Sequence, residues 1–347
     1  MVQKKDMSKA ILSEWLTTWL EQYMLGKKYG TVKSYRAQIK TNIDPYIGHV
    51  KLCDLSVEHI NYLYALLSAG VDRERPPLSA KSVRNVHGIL HEALEVAFEL
   101  GHIEKNPSDC RHLIQLPQVV KTEIRPLTDS QIKLFLRKVN SDVLANYFKL
   151  VLFTGLRESE AMGLTWDCVD FTQNIIRVEK QLQKRPISDG GYVFVPLKNN
   201  RTRTIVAAPA LMQALRSERL KQAEARLRAG ANWKGWTDEQ YRRSALVFTT
   251  ENGVHLTQST IRRHYKRLVE EMGLPKCRVH DLRHTFAVLS LQNGDDIKTV
   301  QENLGHATAA FTLDVYGHVS DRMKTASAAR MQQYICNLEG VNKPWEK

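Results

Sequence analysis

Cysteine is scarce and scattered. Five occur in 347 residues, at Cys53, Cys110, Cys168, Cys277 and Cys336, with no Cys-x-x-Cys pair. This pattern excludes a zinc module and a disulfide-stapled secreted scaffold, and it fits a reducing cytosol. Long apolar runs are missing as well. Met1-Val2-Gln3-Lys4-Lys5-Asp6 leads into no hydrophobic stretch. No later segment approaches the roughly 20 apolar residues of a bilayer span. Neither a leader nor a membrane anchor is expected, and a cytoplasmic location is. A nucleotide-cradling P-loop is absent, and so is any acidic cluster at metal-ligand spacing, so no metal and no cofactor is expected. Acidic excess is lacking too. The formal net charge is +13 and the pI is near 9.5, a balance that favours a polyanionic partner.

The composition fits two globular units rather than disorder. The chain is long enough for two cores, and 43% hydrophobic with 25% charged residues is ordinary for folded domains. The charge is uneven: residues 1–125 hold 17 basic and 14 acidic side chains, and the remainder holds 33 and 23. The larger excess lies in the second part, where the chemistry-bearing motifs lie.

From the start, Ile11, Leu12, Trp15, Leu16, Trp19, Leu20 and Tyr23 recur at helical spacing. They predict a helix over residues 10–24 whose tryptophans serve a core face rather than stack on bases. After Gly30, Thr31 is placed to cap a second helix, with Tyr35 and Ile39 on its apolar face and Lys33, Arg36 and Lys40 on its polar face. Pro45 and Gly48 mark a turn. Ser56 caps a third helix around Ile60, Leu63 and Leu66. A fourth runs from Ser79 through Val83, Val86, Leu90, Leu94 and Phe98, with Lys81 and Arg84 at its start, and ends near Gly101. Residues 10–107 therefore read as a small all-α domain behind a tail of residues 1–9. Residues 108–125 show no clear period and read as a linker.

The second domain spans residues 126–322. Thr128-Asp129-Ser130-Gln131 is a capping box, and a helix through Tyr147, Leu150, Val151 and Leu152 leads to Thr154-Gly155-Leu156-Arg157-Glu158-Ser159-Glu160. There Gly155 breaks the helix and presents Arg157. Three strand-like runs follow at Ile175–Glu179, Tyr192–Pro196 and Thr202–Ala207, with turns at Asp189-Gly190-Gly191 and Asn199-Asn200. Lys198 lies at the second turn, five residues before Arg203. Leu211–Ala229 predicts a long charged helix, and the segment around Trp233 and Trp236 a loop; no motif explains the 211–244 excursion. Thr257 and Ser259 open a helix bearing Arg262, Arg263, Lys266 and Arg267, a plausible DNA-facing surface. Then come His280-Asp281-Leu282-Arg283-His284-Thr285, Leu304-Gly305-His306 and Thr312-Leu313-Asp314-Val315-Tyr316-Gly317-His318. Gly294 with Asp295-Asp296 stops one helix and caps the next, and Gly305 breaks the chain again before His306. Residues 323–347 hold an amphipathic helix and a tail.

Singly these elements are commonplace: a His-x-x-Arg is usually a surface pair, and a lone tyrosine is usually core. Together, His280, Arg283, His306 and Tyr316 suit phosphoryl transfer to a tyrosine. A phenol attacks phosphorus, a guanidinium holds two phosphate oxygens, and imidazoles move protons. In order and spacing, the set resembles the C-terminal motif of the tyrosine recombinases, the lambda-integrase-like site-specific recombinases. The Arg157 box resembles that family's first-arginine box, including the Glu160 position and Leu164-Thr165-Trp166. The four-helix layout, Thr31-x-x-x-Tyr35 and the closing Ile103-x-x-Asn106-Pro107 resemble its core-binding domain.

The resemblance implies an α+β fold: an all-α N-terminal core-binding domain plus a mainly helical catalytic domain with a small antiparallel sheet. It implies a metal- and ATP-independent enzyme, most like the integrases of phages and conjugative transposons, acting on double-stranded recombination sites. Tyr316 would be the nucleophile. Arg157 and Arg283 would hold the phosphate, His280 would be the base, His306 would support the phosphate, and Lys198, carried over from the family's β-hairpin lysine, would act as general acid. Glu160 would orient Arg157. Lys33, Arg36, Lys40, Lys81, Arg84, Arg262, Arg263 and Lys266 are candidate DNA contacts. The expected assembly is a homo-tetramer on DNA, joined through the 323–338 helix in trans or with that helix packed in cis, and an accessory directionality factor is a candidate partner. An additional N-terminal arm-site domain has no room, so a simpler recombinase or a truncated form is expected. The rivals are a type IB topoisomerase, which would form no Holliday junction, and a catalytically silent DNA-binding regulator, which would be free to lose part of the catalytic set.

Overall fold

In the computed structural model, the described residues are 7–70, 75–110, 112–120, 126–186, 191–197, 200–235, 245–274, 277–305 and 321–339. The chain divides into two compact units, residues 1–122 and 123–347. Among the described residues, no helix is long and apolar enough to cross a membrane.

The first unit is helical: α1 (Leu12–Gln22), α2 (Tyr29–Asn42), the single turn α3 (Asp44–Ile47), α4 (Val57–Ala69) and α5 (Ala80–Glu99). The stripe on α1 goes inward, and Leu12, Trp15, Leu16 and Trp19 are buried with Ile60, Leu63, Val83, Val86, Leu90 and Leu94. Each fully buried side chain of this size contributes roughly 1.5–3 kcal/mol. Trp15 donates its indole N–H to the Ala93 carbonyl at 3.0 Å, so its polar edge is satisfied inside the core. Four details differ from expectation. Tyr23, expected on the α1 stripe, lies just past the helix end and is exposed. The second helix starts at Tyr29 with Lys28 as N-cap, so Thr31 is inside its first turn rather than capping it. The stretch after Ile43 forms a helical turn with Pro45 in its first positions. Phe98 is 44% exposed, on the outer side of α5.

The stretch read as a linker is partly fixed. Asn106 caps a short 3₁₀ turn, Pro107–Asp109, and is buried against Glu95. Further on, the Asn61 amide donates to the Leu113 carbonyl at 2.8 Å and accepts from the Gln115 N–H at 2.9 Å. Arg84 donates from Nε to the Pro117 carbonyl at 2.8 Å. Ile114 and Leu116 pack on the helical core. Aperiodic sequence here marks an irregular segment held by side chains, a pattern that leaves no hydrophobic period.

The second unit is built around α7 (Ala145–Thr154), in which Tyr147, Phe148, Leu150, Val151, Leu152 and Thr154 are all buried. A helix apolar on nearly every side is a core element. Around it lie α6 (Asp129–Val139), α8 (Glu158–Met162), α9 (Pro209–Ala229), α10 (Gln258–Glu271), α11 (Val279–Gln292) and α12 (Ile297–Leu304); α13 (Asp321–Glu339) follows. Thr128 caps α6 with the expected capping box. The strands number five among the described residues rather than three: β1 (Val169–Asp170), β2 (Ile175–Val178), β3 (Lys180–Lys184), β4 (Tyr192–Pro196) and β5 (Arg203–Val206). One antiparallel sheet has the order β1-β2-β5, with Ile176 opposite Ile205; a second pairs β3 with β4, with Leu182 opposite Phe194. Polar Lys180-Gln181-Leu182-Gln183-Lys184 hides β3 from a hydrophobicity reading, because one buried side chain, Leu182, carries it.

The excursion after β5 has a structural account up to residue 235. Leu211, Met212 and Leu215 enter the core, and Gln222 bridges the Trp166 indole and the Leu246 carbonyl, each at 2.8 Å. Trp233 covers the turn at Gly253, where a Cβ would fall 2.5 Å from the indole. In the same unit, Thr285 is fully buried and its hydroxyl accepts from the Leu127 N–H at 3.0 Å while donating to the Asp281 carbonyl at 2.9 Å. Replacing Thr285 with valine keeps the shape but strands that amide. Equilibrium urea unfolding should show a loss of about 1–2 kcal/mol, and an unchanged midpoint would show that Leu127 finds another acceptor.

Candidate active site

The site is assembled where the end of α7, the start of α11 and the end of α12 meet. Gly155 closes α7 in the left-handed conformation, φ 64°. A Cβ there would stand 2.5 Å from Phe286 and 2.7 Å from Leu304, so this turn can touch α11 and α12 only as glycine. Arg157 then caps α8. Its backbone N–H donates to Glu160 Oε2 at 3.0 Å, its Nη1 to Glu160 Oε1 at 2.7 Å, and its Nη2 to the Gly305 carbonyl at 3.1 Å. Glu160 orients Arg157 twice over, through main chain and side chain.

Arg283, on the first turns of α11, is 2% exposed and donates to the Gly155 carbonyl at 2.6 Å and the Leu304 carbonyl at 2.7 Å. Arg203, at the start of β5, donates from Nε to the Asn303 carbonyl at 2.7 Å and grips Glu160 with both Nη atoms, at 2.6 and 3.3 Å. The carbonyls of residues 303, 304 and 305 are thus each taken by a different arginine. They are the last acceptors of α12, which its own amides cannot reach. Asp296 caps the start of that helix, and Gly305 ends it in the left-handed conformation.

Glu160 is buried. Desolvation by itself would raise its pKa, but the hydrogen bonds and charge of Arg203, and then of Arg157, pull it down to about 2. His280 lies one turn before Arg283, its ring edge-on to His284 with centroids 4.8 Å apart. Desolvation, then the neighbouring His284 and Arg283, hold its pKa below the ordinary histidine value. A neutral imidazole can accept a phenol proton.

Of the sequence-derived site, Arg157, Glu160 and Arg283 come together in this cluster, and His280 stands exposed one turn before Arg283 on α11. Lys198, His306 and Tyr316 lie outside the described residues. The described strands on either side of Lys198, β4 and β5, pair with different partners, β3 and β2. In the sequence Arg203 stands out only by its place five residues after Lys198. Its partnership with Glu160, 43 residues earlier, left no local spacing to read.

Lys33, Arg36 and Lys40 are exposed along α2, and Lys81 and Arg84 on the first turns of α5. On α10, Arg262 pairs with Glu158, Lys266 with Glu270, and Arg267 with Asp142. Arg263 has no carboxylate partner among the described residues, so less free charge stands on this helix than four cations suggest.

Residues 125–323, more than half of the chain, match the phage integrase family, and residues 11–65 match the phage integrase N-terminal SAM-like domain. The chain belongs to the phage integrase family. It is a tyrosine-type site-specific recombinase. Relatives include a tyrosine recombinase XerC-like protein of Caldanaerobacter subterraneus subsp. tengcongensis, 27% identical over 338 residues that cover 92% of this chain and 82% of that protein. The ICEBs1 integrase of Bacillus subtilis is 26% identical over 261 residues, 74% of this chain and 67% of that one. In fold, the recombinase resembles the Tn1549 transposon integrase solved with a circular intermediate DNA, at TM-score 0.74 and 22% identity over 92% of this chain and 99% of the other. It also resembles the lambda integrase tetramer bound to a Holliday junction, at TM-score 0.60 and 19% identity over 87% and 79%.

The buried carboxylate predicts how the recombinase responds to acid. Its folded pKa, about 2, lies below the ordinary 4.5, so its contribution to stability is complete above pH 4.5 and disappears as pH falls towards 2. At about 1.4 kcal/mol per pKa unit, the loss over that window is on the order of 3 kcal/mol. Urea unfolding measured between pH 6 and 2.5 should show this slope, and it should flatten in E160Q.

Proposed function

We propose that this recombinase integrates and excises a mobile element by cutting and rejoining duplex DNA through a 3′-phosphotyrosine. Tyr316 attacks the scissile phosphorus while His280 takes the phenol proton. The bond from phosphorus to the 5′-oxygen breaks, and Lys198 supplies the proton that makes the leaving group a 5′-hydroxyl. Arg157 and Arg283 offset the negative charge that grows on the non-bridging oxygens, and His306 supports the same phosphate. Strand exchange needs no ATP, because the phosphotyrosine conserves the energy of the broken bond.

The observation that carries the reading is the grip of Arg157 and Arg283 on the carbonyls of Gly305 and Leu304. It joins both arginine boxes to the residue before His306, so three motifs far apart in sequence serve one place. The exposed cations of α2 and α5 support DNA contact by the first unit.

The partners we assign are double-stranded recombination sites, an accessory directionality factor, and further copies of the chain in a cytoplasmic setting. Four active sites are needed to recombine two duplexes, and the lambda integrase structure is of a tetramer on a Holliday junction. On α13, Met331 is 60%, Ile335 39% and Leu338 70% exposed, which supports docking of that face on a neighbouring protomer over packing within its own chain.

Two measurements test this. Nicked duplexes should trap wild-type protein as covalent adducts whose sequencing gives the cleavage site. Y316F should bind the same DNA and form none, and adducts at wild-type levels from Y316F would sink the assignment. Truncation after Arg322 should leave single-site binding intact but abolish tetramers on DNA in analytical ultracentrifugation; tetramers formed as before would refute the role of α13.

A further inference from the structure

Glu160 poses an electrostatic problem that the motifs alone do not reveal. Its side chain is 1% exposed and lies 2.7 Å from Arg157 Nη1. In a site closed to water, a carboxylate at that distance cancels much of the positive charge that Arg157 would present to a phosphate. Yet Glu160 is what orients Arg157, through two hydrogen bonds.

Arg203 meets the same carboxylate with a two-pronged grip, and its side chain is 8% exposed. Its Nε is committed to the Asn303 carbonyl. At that burial it cannot track a DNA backbone, and a guanidinium does not release its proton to a leaving group. The Arg157 side chain, 24% exposed, is the more open of the two. Two guanidiniums share one carboxylate, so one positive charge remains, on the side that faces out.

We propose that Arg203 is a positioning residue for DNA cleavage: its buried guanidinium neutralises Glu160, which can then orient Arg157 without cancelling the charge Arg157 presents to the scissile phosphate. This rests on the recombination chemistry above, in which a phosphodiester monoanion gains a second negative charge as the phenol oxygen attacks. Two further observations agree. Arg203 outweighs Arg157 in holding Glu160 ionised. Gly305 leaves the space Arg203 fills, since a Cβ at 305 would stand 3.0 Å from Arg203 Nη1.

The test uses the full chain on the duplex identified by adduct sequencing, with R203K, R203M and R203M/E160Q compared with wild type in the rate of adduct formation. R203M should lose about 10²-fold or more, the scale of a lost charge-stabilising donor. R203K keeps the charge and should recover most of the rate. The double variant removes both charges together and should react at least about tenfold faster than R203M. A duplex carrying a neutral methylphosphonate at the scissile position needs less positive charge, so on it R203M should approach wild type. A merely structural pair predicts the opposite, with the double variant no better than R203M and the same loss on both duplexes. Either result in a protein that melts like wild type overturns the proposal. So does an R203M that cleaves at the wild-type rate. If R203M does not fold, the double variant decides: reaction within about 10²-fold of wild type supports the proposal, and a larger loss in folded protein overturns it. Failure of wild type itself to form adducts would count against the recombination chemistry, a separate result.

Discussion

An α-helix ends with carbonyls that no amide of its own can reach, and at the end of α12 three of them are satisfied by guanidiniums from β5, α11 and the turn before α8. The arrangement brings opposite partial charges together, since a helix C-terminus is the negative end of its dipole. It also fixes where the arginines are. A long, flexible side chain held at two or three of its donors has lost its rotamer entropy during folding, before any DNA arrives. Such preorganisation is what makes a charged group effective on a transition state.

Much of this frame was legible in the sequence. The caps at Ser56, Ser79, Thr128 and Thr257 open helices in the structure, because a side-chain acceptor for a free N–H is a local requirement with a local signature. Gly155 and Gly305 could be singled out as breaks for the same reason, and both are left-handed caps. The α1 stripe with its two tryptophans is core, as periodicity required. What escaped was non-local. Thr31 looks like a cap, but Gly30 is tolerated in the first turn of α2 and the helix starts before it. β3 shows one buried residue among polar neighbours. Arg203 reads as one more cation in a basic stretch until the fold sets it beside a carboxylate.

The two sets of cations also differ physically. On α10 most are tied to acids of the same unit, so net charge overstated what that helix can offer a polyanion. On α2, Lys33, Arg36 and Lys40 are exposed along one helix. Formal charge counts side chains, whereas an incoming phosphate meets only the charge left after internal pairing.

The segment docked by Asn61 and Arg84 is costly to order. Chain that seemed free from residue 108 is held on the first unit as far as Pro117. Fixing each such residue costs roughly 1–2 kcal/mol of backbone entropy, and without helix or strand it gains no ladder of hydrogen bonds in return. The burial of Ile114 and Leu116 on the helical core and the donors and acceptors of Asn61 and Arg84 must offset that cost. Those two side chains are therefore latches, whose loss frees a stretch of backbone while leaving every helix of the first unit in place.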